Sequence, residues 1–296
     1  MKQLRKTVAL LLALALLAAL PAEYTGQPRE GATFLVGCYT LAMTVYLLAP
    51  ALTQTLGVSA LPRVTAAWAR QDRHALRESV SAVCRGAALV CFPAGLGMSV
   101  LATPITQVLF GRDASAPITA SALQVLGLAA LGAGLTVPLN SILQAVGRAD
   151  LPVKLLAVAL ALKTASTWFL SGVPELGLLG AAWSSVGCYA LLAAAELLAV
   201  RRVTGLSLPW GELLGVPLAG AALCALAART AFLRLEPALG TLPALAFGVC
   251  LGAAVHGASA LLLGGFQGLK KPVNARKNRR FLWKTERKPV STCSRP

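Results

Sequence analysis

Lys163 stands between Leu162 and Thr164 in the middle of an apolar stretch over residues 153–173. An ammonium group in hydrocarbon costs ~2.5–3.5 kcal/mol on insertion scales, so it normally faces a water-filled cavity or a polar neighbour. Two readings stand: a cavity cation that would hold an anionic or hydroxyl-rich ligand, and a structural group bonded to an adjacent helix. Glu196 is the second ionisable group in apolar sequence, near the end of its stretch and shortly before Arg201 and Arg202. An ion pair with either arginine is the expected arrangement. Gln54, Gln107, Gln124, Asn140 and Gln144 interrupt other apolar runs. A side-chain amide in such a place bonds across helices, for ~0.6 kcal/mol on average, or lines a polar cavity. The candidate cavity residues are therefore Lys163, Gln144, Asn140, Gln124 and Gln54.

Catalytic chemistry finds little to work with. The chain has no GxSxG, Walker A, HExxH or GxGxxG motif, and only 11 acidic residues. Its seven cysteines are Cys38, Cys84, Cys91, Cys188, Cys224, Cys250 and Cys293, and no two lie within six positions of each other. Zinc sites need clustered ligands, and the two histidines, His74 and His256, are far apart in sequence. No metal site, no cofactor and no enzymatic activity are expected.

The elements that carry these polar residues are membrane helices. Of the 296 residues, 56% are hydrophobic and 13% charged, against about 25% charged in soluble domains. Residues 31–62, 86–111, 114–147 and 237–269 contain no charged residue. Runs of this length span a bilayer, because a transmembrane helix needs about 20 residues. Spans are expected near 7–22, 32–60, 86–110, 118–146, 153–173, 177–200, 213–234 and 241–265. The fold class is all-α: a polytopic membrane helical bundle of about eight spans. Pro50, Pro93, Pro104 and Pro138 fall within spans, where each removes a backbone hydrogen bond and kinks its helix.

The first segment reads as a retained first helix, with a cleaved signal peptide as the alternative: Met1–Lys6 is basic and Val8–Leu20 uninterrupted apolar sequence. The net charge of +16 is a topology signal. With the N-terminus inside, twenty-two of the 27 Lys and Arg fall on inner segments and four on outer ones. Both termini are thus expected in the cytoplasm of a multi-pass plasma-membrane protein. Arg70, Arg73 and Arg77 share one helical face within the 61–85 connection. Two readings fit: an amphipathic helix on the inner surface, its arginines toward anionic lipid, or a solvated connecting helix. Ten Lys and Arg fill the last 27 positions. Anionic lipid is the simplest partner for that tail, and nucleic acid is not expected, since no folded module accompanies the charge.

Several stretches, taken in order, resemble the multidrug/oligosaccharidyl-lipid/polysaccharide exporter superfamily. They are Leu52-Thr53-Gln54-Thr55-Leu56-Gly57-Val58-Ser59-Ala60-Leu61-Pro62, then Ala67-Trp68, Arg70 and Asp72-Arg73. Pro93-Ala94-Gly95, Leu109-Phe110-Gly111 and Leu143-Gln144-Ala145-Val146-Gly147-Arg148 before Pro152 follow, then Lys163, and Gly177 to Gly180 with Ala181-Ala182-Trp183. The nearest branch looks like the polysaccharide biosynthesis and stage V sporulation protein B flippases, MATE-like relatives of the lipid II flippase. The resemblance implies a flippase of lipid-linked oligosaccharide or polysaccharide precursors, driven by an ion gradient or the membrane potential. Family members have two lobes, and only the second is represented here. The partner is then a separate N-terminal lobe or a homo-oligomer, and the chain a truncated or split form. On this division residues 1–31 hold the N-terminal hydrophobic segment and outer loop, 32–205 the C-terminal lobe, 206–265 two additional helices and 266–296 the basic cytoplasmic tail. The alternatives are a drug or organic-cation antiporter of the same superfamily, and a non-transporting scaffold in cell-wall, cell-envelope or spore assembly.

Overall fold

A computed structural model describes residues 29–173, 176–206 and 211–262. The first expected span (7–22) and the basic tail (266–296) lie outside the described residues. Among those described, every regular element is helical. In chain order they are α1 (Arg29–Tyr46), α2 (Leu48–Ala69), α3 (Arg73–Val100), α4 (Ala102–Phe110), α5 (Ser115–Ala145), α6 (Asp150–Ser171), α7 (Gly177–Thr204), a π-helical turn (Gly211–Gly215), α8 (Val216–Leu239) and α9 (Thr241–Leu262). With α1 and α2 counted as one, seven segments are long and apolar enough to cross a membrane.

Proline explains the two interruptions. Pro50 cannot donate to the carbonyl four residues back, at Tyr46, and the chain breaks at Leu47 between α1 and α2. Pro104 does the same to Val100, and α3 gives way to α4 at Leu101. Pro62, Pro93 and Pro138 stay inside continuous helices.

The 61–85 connection is not a separate surface helix. α2 runs on to Ala69 and α3 begins at Arg73, leaving a turn of three residues. Gln71 takes a left-handed conformation there (φ 54°). Asp72 caps α3, its Oδ1 accepting from the backbone N–H of His74 at 3.1 Å and of Ala75 at 3.0 Å. Leu76 and Val80 of α3 are core, packing with Cys84 and with Leu139, Ile142 and Leu143 of α5, whereas Ala69 at the end of α2 is exposed.

α5 is the central helix, packed by α1, α2, α3, α4 and α7. Lipid tails are as apolar as leucine, so association rests on close packing and is favoured by small residues. Gly95 of α3 and Gly127 of α5 show this reciprocally. A Cβ on either would lie 2.7 Å from the other's carbonyl oxygen. A Cβ on Gly132 of α5 would lie 2.8 Å from the Tyr189 backbone of α7. α6 is peripheral. It rests on α7, and Val153, Leu156, Val158, Leu162 and Phe169 project outward. The α8–α9 hairpin packs on α3.

Candidate functional site

Lys163 reaches from α6 toward α7, its ammonium 5.6 Å from the centre of the Tyr189 ring. That is cation–π range, since a ring face attracts a cation within about 6 Å of its centroid. The Tyr189 ring lies 6.2 Å from that of Tyr46 on α1. Tyr39, two turns earlier on α1, meets Ser185 of α7 at 3.4 Å. Ser185 already donates to the Ala181 carbonyl, so the phenol is the donor. Below it, Thr167 of α6 meets Ser184 of α7 at 2.6 Å. Ser184 likewise donates to Ala181, which leaves Thr167 as donor. The Tyr46 hydroxyl is buried without a hydrogen-bond partner. Three elements thus set one ammonium on an aromatic bed beside hydroxyls. Among the described residues, no ion pair neutralises the ammonium. Such an arrangement holds fixed positive charge, and of the hydroxyls named the Tyr46 phenol keeps its hydrogen free to donate. It has no nucleophile–base pair.

Asn140 of α5 is half-buried, and its Oδ1 lies out of water without a partner. Gln54 on α2 and Gln124 and Gln144 on α5 are exposed on the outside of the bundle. The structure therefore does not gather the five cavity candidates around one space within this chain. Glu196 departs from the expected ion pair. It is fully buried, both carboxyl oxygens lack hydrogen-bond partners, and Arg201 and Arg202 are exposed. The reason is helical geometry: five and six residues at about 100° each carry both arginines to other faces of α7.

The tyrosines and small hydroxyls are not found by a search of the sequence for ionisable and amide side chains alone. A signal was present. Three of the chain's four tyrosines, Tyr39, Tyr46 and Tyr189, lie inside apolar helices, two of them seven apart on one face.

Two further features frame the bundle. A groove of about 370 Å³ runs between α2, α3 and α9, lined by Leu56, Val83, Leu89 and Val90, with Arg63 and His256 among its polar groups. His256 Nε2 lies 2.9 Å from the Leu89 carbonyl. A carbonyl only accepts, so Nε2 carries the hydrogen. On the arginine-rich face, Arg70, Arg73 and Arg77 are exposed at the α2–α3 turn. Trp68 beside them borders two cavities, of about 530 and 590 Å³, whose linings include Arg73, Arg148 and Arg202.

Among the described residues, seven long apolar segments, α5 at their centre, with polar side chains buried between them, define a polytopic membrane protein of helical-bundle type. The chain belongs to the lipid II flippase MurJ family, whose sequence pattern matches residues 35–237, more than half of the chain. A solved structure, "Lipid II flippase MurJ, inward closed conformation", shares the fold with a TM-score of 0.61 at 15% identity, over 80% of this chain. The chain spans 48% of the length of that protein. No curated protein matches it.

Proposed function

We propose that this chain is the second lobe of a flippase for lipid-linked saccharide precursors, a transporter rather than an enzyme. Family membership over residues 35–237 carries the reading. The half-length match fits one lobe of a two-lobed fold, packed against another lobe. Gln54, Gln124 and Gln144, exposed where hydrocarbon would leave their amides unsatisfied, fit a surface that such a lobe covers. The apolar groove between α2, α3 and α9, with Arg63 along it, suits a lipid tail joined to an anionic headgroup. The sequence likeness to polysaccharide biosynthesis and stage V sporulation protein B flippases widens the substrate class to lipid-linked oligosaccharides of the cell envelope. The chain works in the plasma membrane with its arginine-rich end and both termini in the cytoplasm. Arg70, Arg73 and Arg77 meet anionic lipid there, and no nucleic acid is involved.

The test is reconstitution in liposomes, alone and with a candidate first lobe, scoring movement of a fluorescent lipid-linked oligosaccharide between leaflets. Movement above that of empty liposomes is expected, strongest with both lobes. No movement in either condition, with the protein folded, overturns the reading.

A further inference from the structure

Glu196 takes no part in the Lys163 cluster, and its surroundings ask for a ligand. Its exposure is 0%, and neither oxygen has a hydrogen-bond partner. The register of the two packed helices shows what lies opposite. α5 and α7 run in the same direction, each antiparallel to α6 between them in sequence, and they touch at Gly132 and Tyr189. Two turns further along, α7 reaches Glu196 while α5 reaches Leu139 and Asn140. Both stretches belong to one apolar region, where Leu139, Ile142 and Leu143 pack with Leu197 and Val200. The Oδ1 of Asn140 is itself buried and unpartnered. This level of the bundle therefore holds a buried carboxyl group and a buried amide oxygen, neither with a hydrogen-bond partner.

Among the described residues, neither carboxyl oxygen has a hydrogen-bond partner, and the charged groups on the helices packed around α7 lie elsewhere. α5 carries no titratable residue at all. On α6, Asp150 is held by Arg148 and Lys154, at 3.1 Å each, and Lys163 lies against Tyr189, toward the other end of the bundle. On α7, Cys188 donates to the Ala159 carbonyl, Tyr189 lies in the Lys163 cluster, and Arg201 and Arg202 are exposed. α1 meets α7 through Tyr39 and Tyr46, beside Ser185 and Tyr189 rather than Glu196. Cys84 of α3 shares the apolar region, and Arg85 follows it. An unpaired carboxylate out of water is the costliest form this group can take. One proton removes the charge and turns one oxygen of the carboxyl group into a donor.

We propose that Glu196, at the level of Asn140, is a proton-binding site between α5 and α7. The carboxyl group is neutral when the two helices are closed and gives its proton to water when they part. The balance is simple: the carboxylate gains one proton from solvent and returns it to solvent, with no other bond made or broken. Glu196 lies five residues before the exposed Arg201, about 7.5 Å along the axis at 1.5 Å per residue. The arginine-rich end is thus the nearer source of water. That proton exchange accompanies precursor movement rests on the flippase reading. The site itself does not.

The experiment is infrared difference spectroscopy of the whole chain in phosphatidylcholine nanodiscs, without substrate, titrated from neutral to alkaline pH. A carbonyl-stretch band of a protonated carboxyl is expected at neutral pH. It should shift slightly in deuterated water, be replaced by carboxylate bands as pH rises, and be missing from Glu196→Gln. Glu196→Asp should move the band, which keeps the assignment testable if Glu196→Gln misfolds. Absence of the band at neutral pH overturns the proposal. So does a band that never titrates while the helices remain folded, because the group is then a locked structural acid. Loss of the band on replacing potassium by sodium at fixed pH would also overturn it, since the ligand would then be a metal cation. Because no substrate is present, the band reports on the proton even in a chain that moves no lipid.

Discussion

The ammonium of Lys163 on α6 lies 5.6 Å from the centre of the Tyr189 ring on α7. The contact joins the peripheral helix of the bundle to one packed directly on its central helix. If Lys163 contacts the transported group, Lys163→Met should lower flipping about tenfold or more, a barrier change of about 1.4 kcal/mol. It should leave thermal unfolding in detergent unchanged or raised, because a half-buried charge has been removed. A large fall in stability with unchanged flipping would mark a purely structural lysine.

Gly95 and Gly127 meet backbone to backbone. A Cβ on either would sit 2.7 Å from the other's carbonyl oxygen, so α3 and α5 would have to separate. Gly95→Ala and Gly127→Ala should each destabilise by about 1–3 kcal/mol. The double variant should cost less than the sum, since the first substitution already opens the shared contact. Denaturant titration in detergent measures all three.

Thr167 and Ser184 share a hydrogen bond of 2.6 Å between α6 and α7. Thr167→Val keeps the shape and removes the donor. The expected loss is about 0.6 kcal/mol, and Ser184→Ala on top of it should add little. A double-mutant cycle by thermal unfolding tests both statements.

Arg70, Arg73 and Arg77 project from the α2–α3 turn beside Trp68. In a variant with Trp68 as its sole tryptophan, brominated anionic lipid should quench the indole more than brominated phosphatidylcholine does. Replacing the three arginines by glutamine, or raising the salt, should erase that preference. Equal quenching by both lipids in the parent would remove anionic lipid as a partner of this turn.

Arg112 donates to the Thr241 hydroxyl at 2.7 Å, tying the α4–α5 loop to the start of α9. If the arginine-rich end is cytoplasmic, this contact lies outside the cell. Arg112→Cys should then react with a membrane-impermeant maleimide in intact cells, whereas Arg148→Cys should react only after permeabilisation. The reverse pattern would invert the orientation.

The membrane helices were legible in the sequence because a bilayer imposes length and composition directly. Uncharged stretches such as 114–147 leave water wherever their neighbours go, and each helix satisfies its own backbone. The prolines were legible too, though only the structure tells Pro50 and Pro104, which interrupt helices, from Pro93 and Pro138, which do not. Membership in the exporter superfamily could be read from the order of motifs between Leu52 and Trp183. The partners of the buried polar groups could not. Lys163 stands out by sequence, but its aromatic bed depends on how closely α5 and α7 approach at Gly132 and how α1 lies across them. Glu196 is a near neighbour of Arg201 in one dimension, yet the turn of the helix sends that arginine to water and leaves the carboxyl buried. Which residues leave water is thus set by local composition. Which of them meet is set by helix rotation and spacing, decided by glycine contacts far apart in the chain.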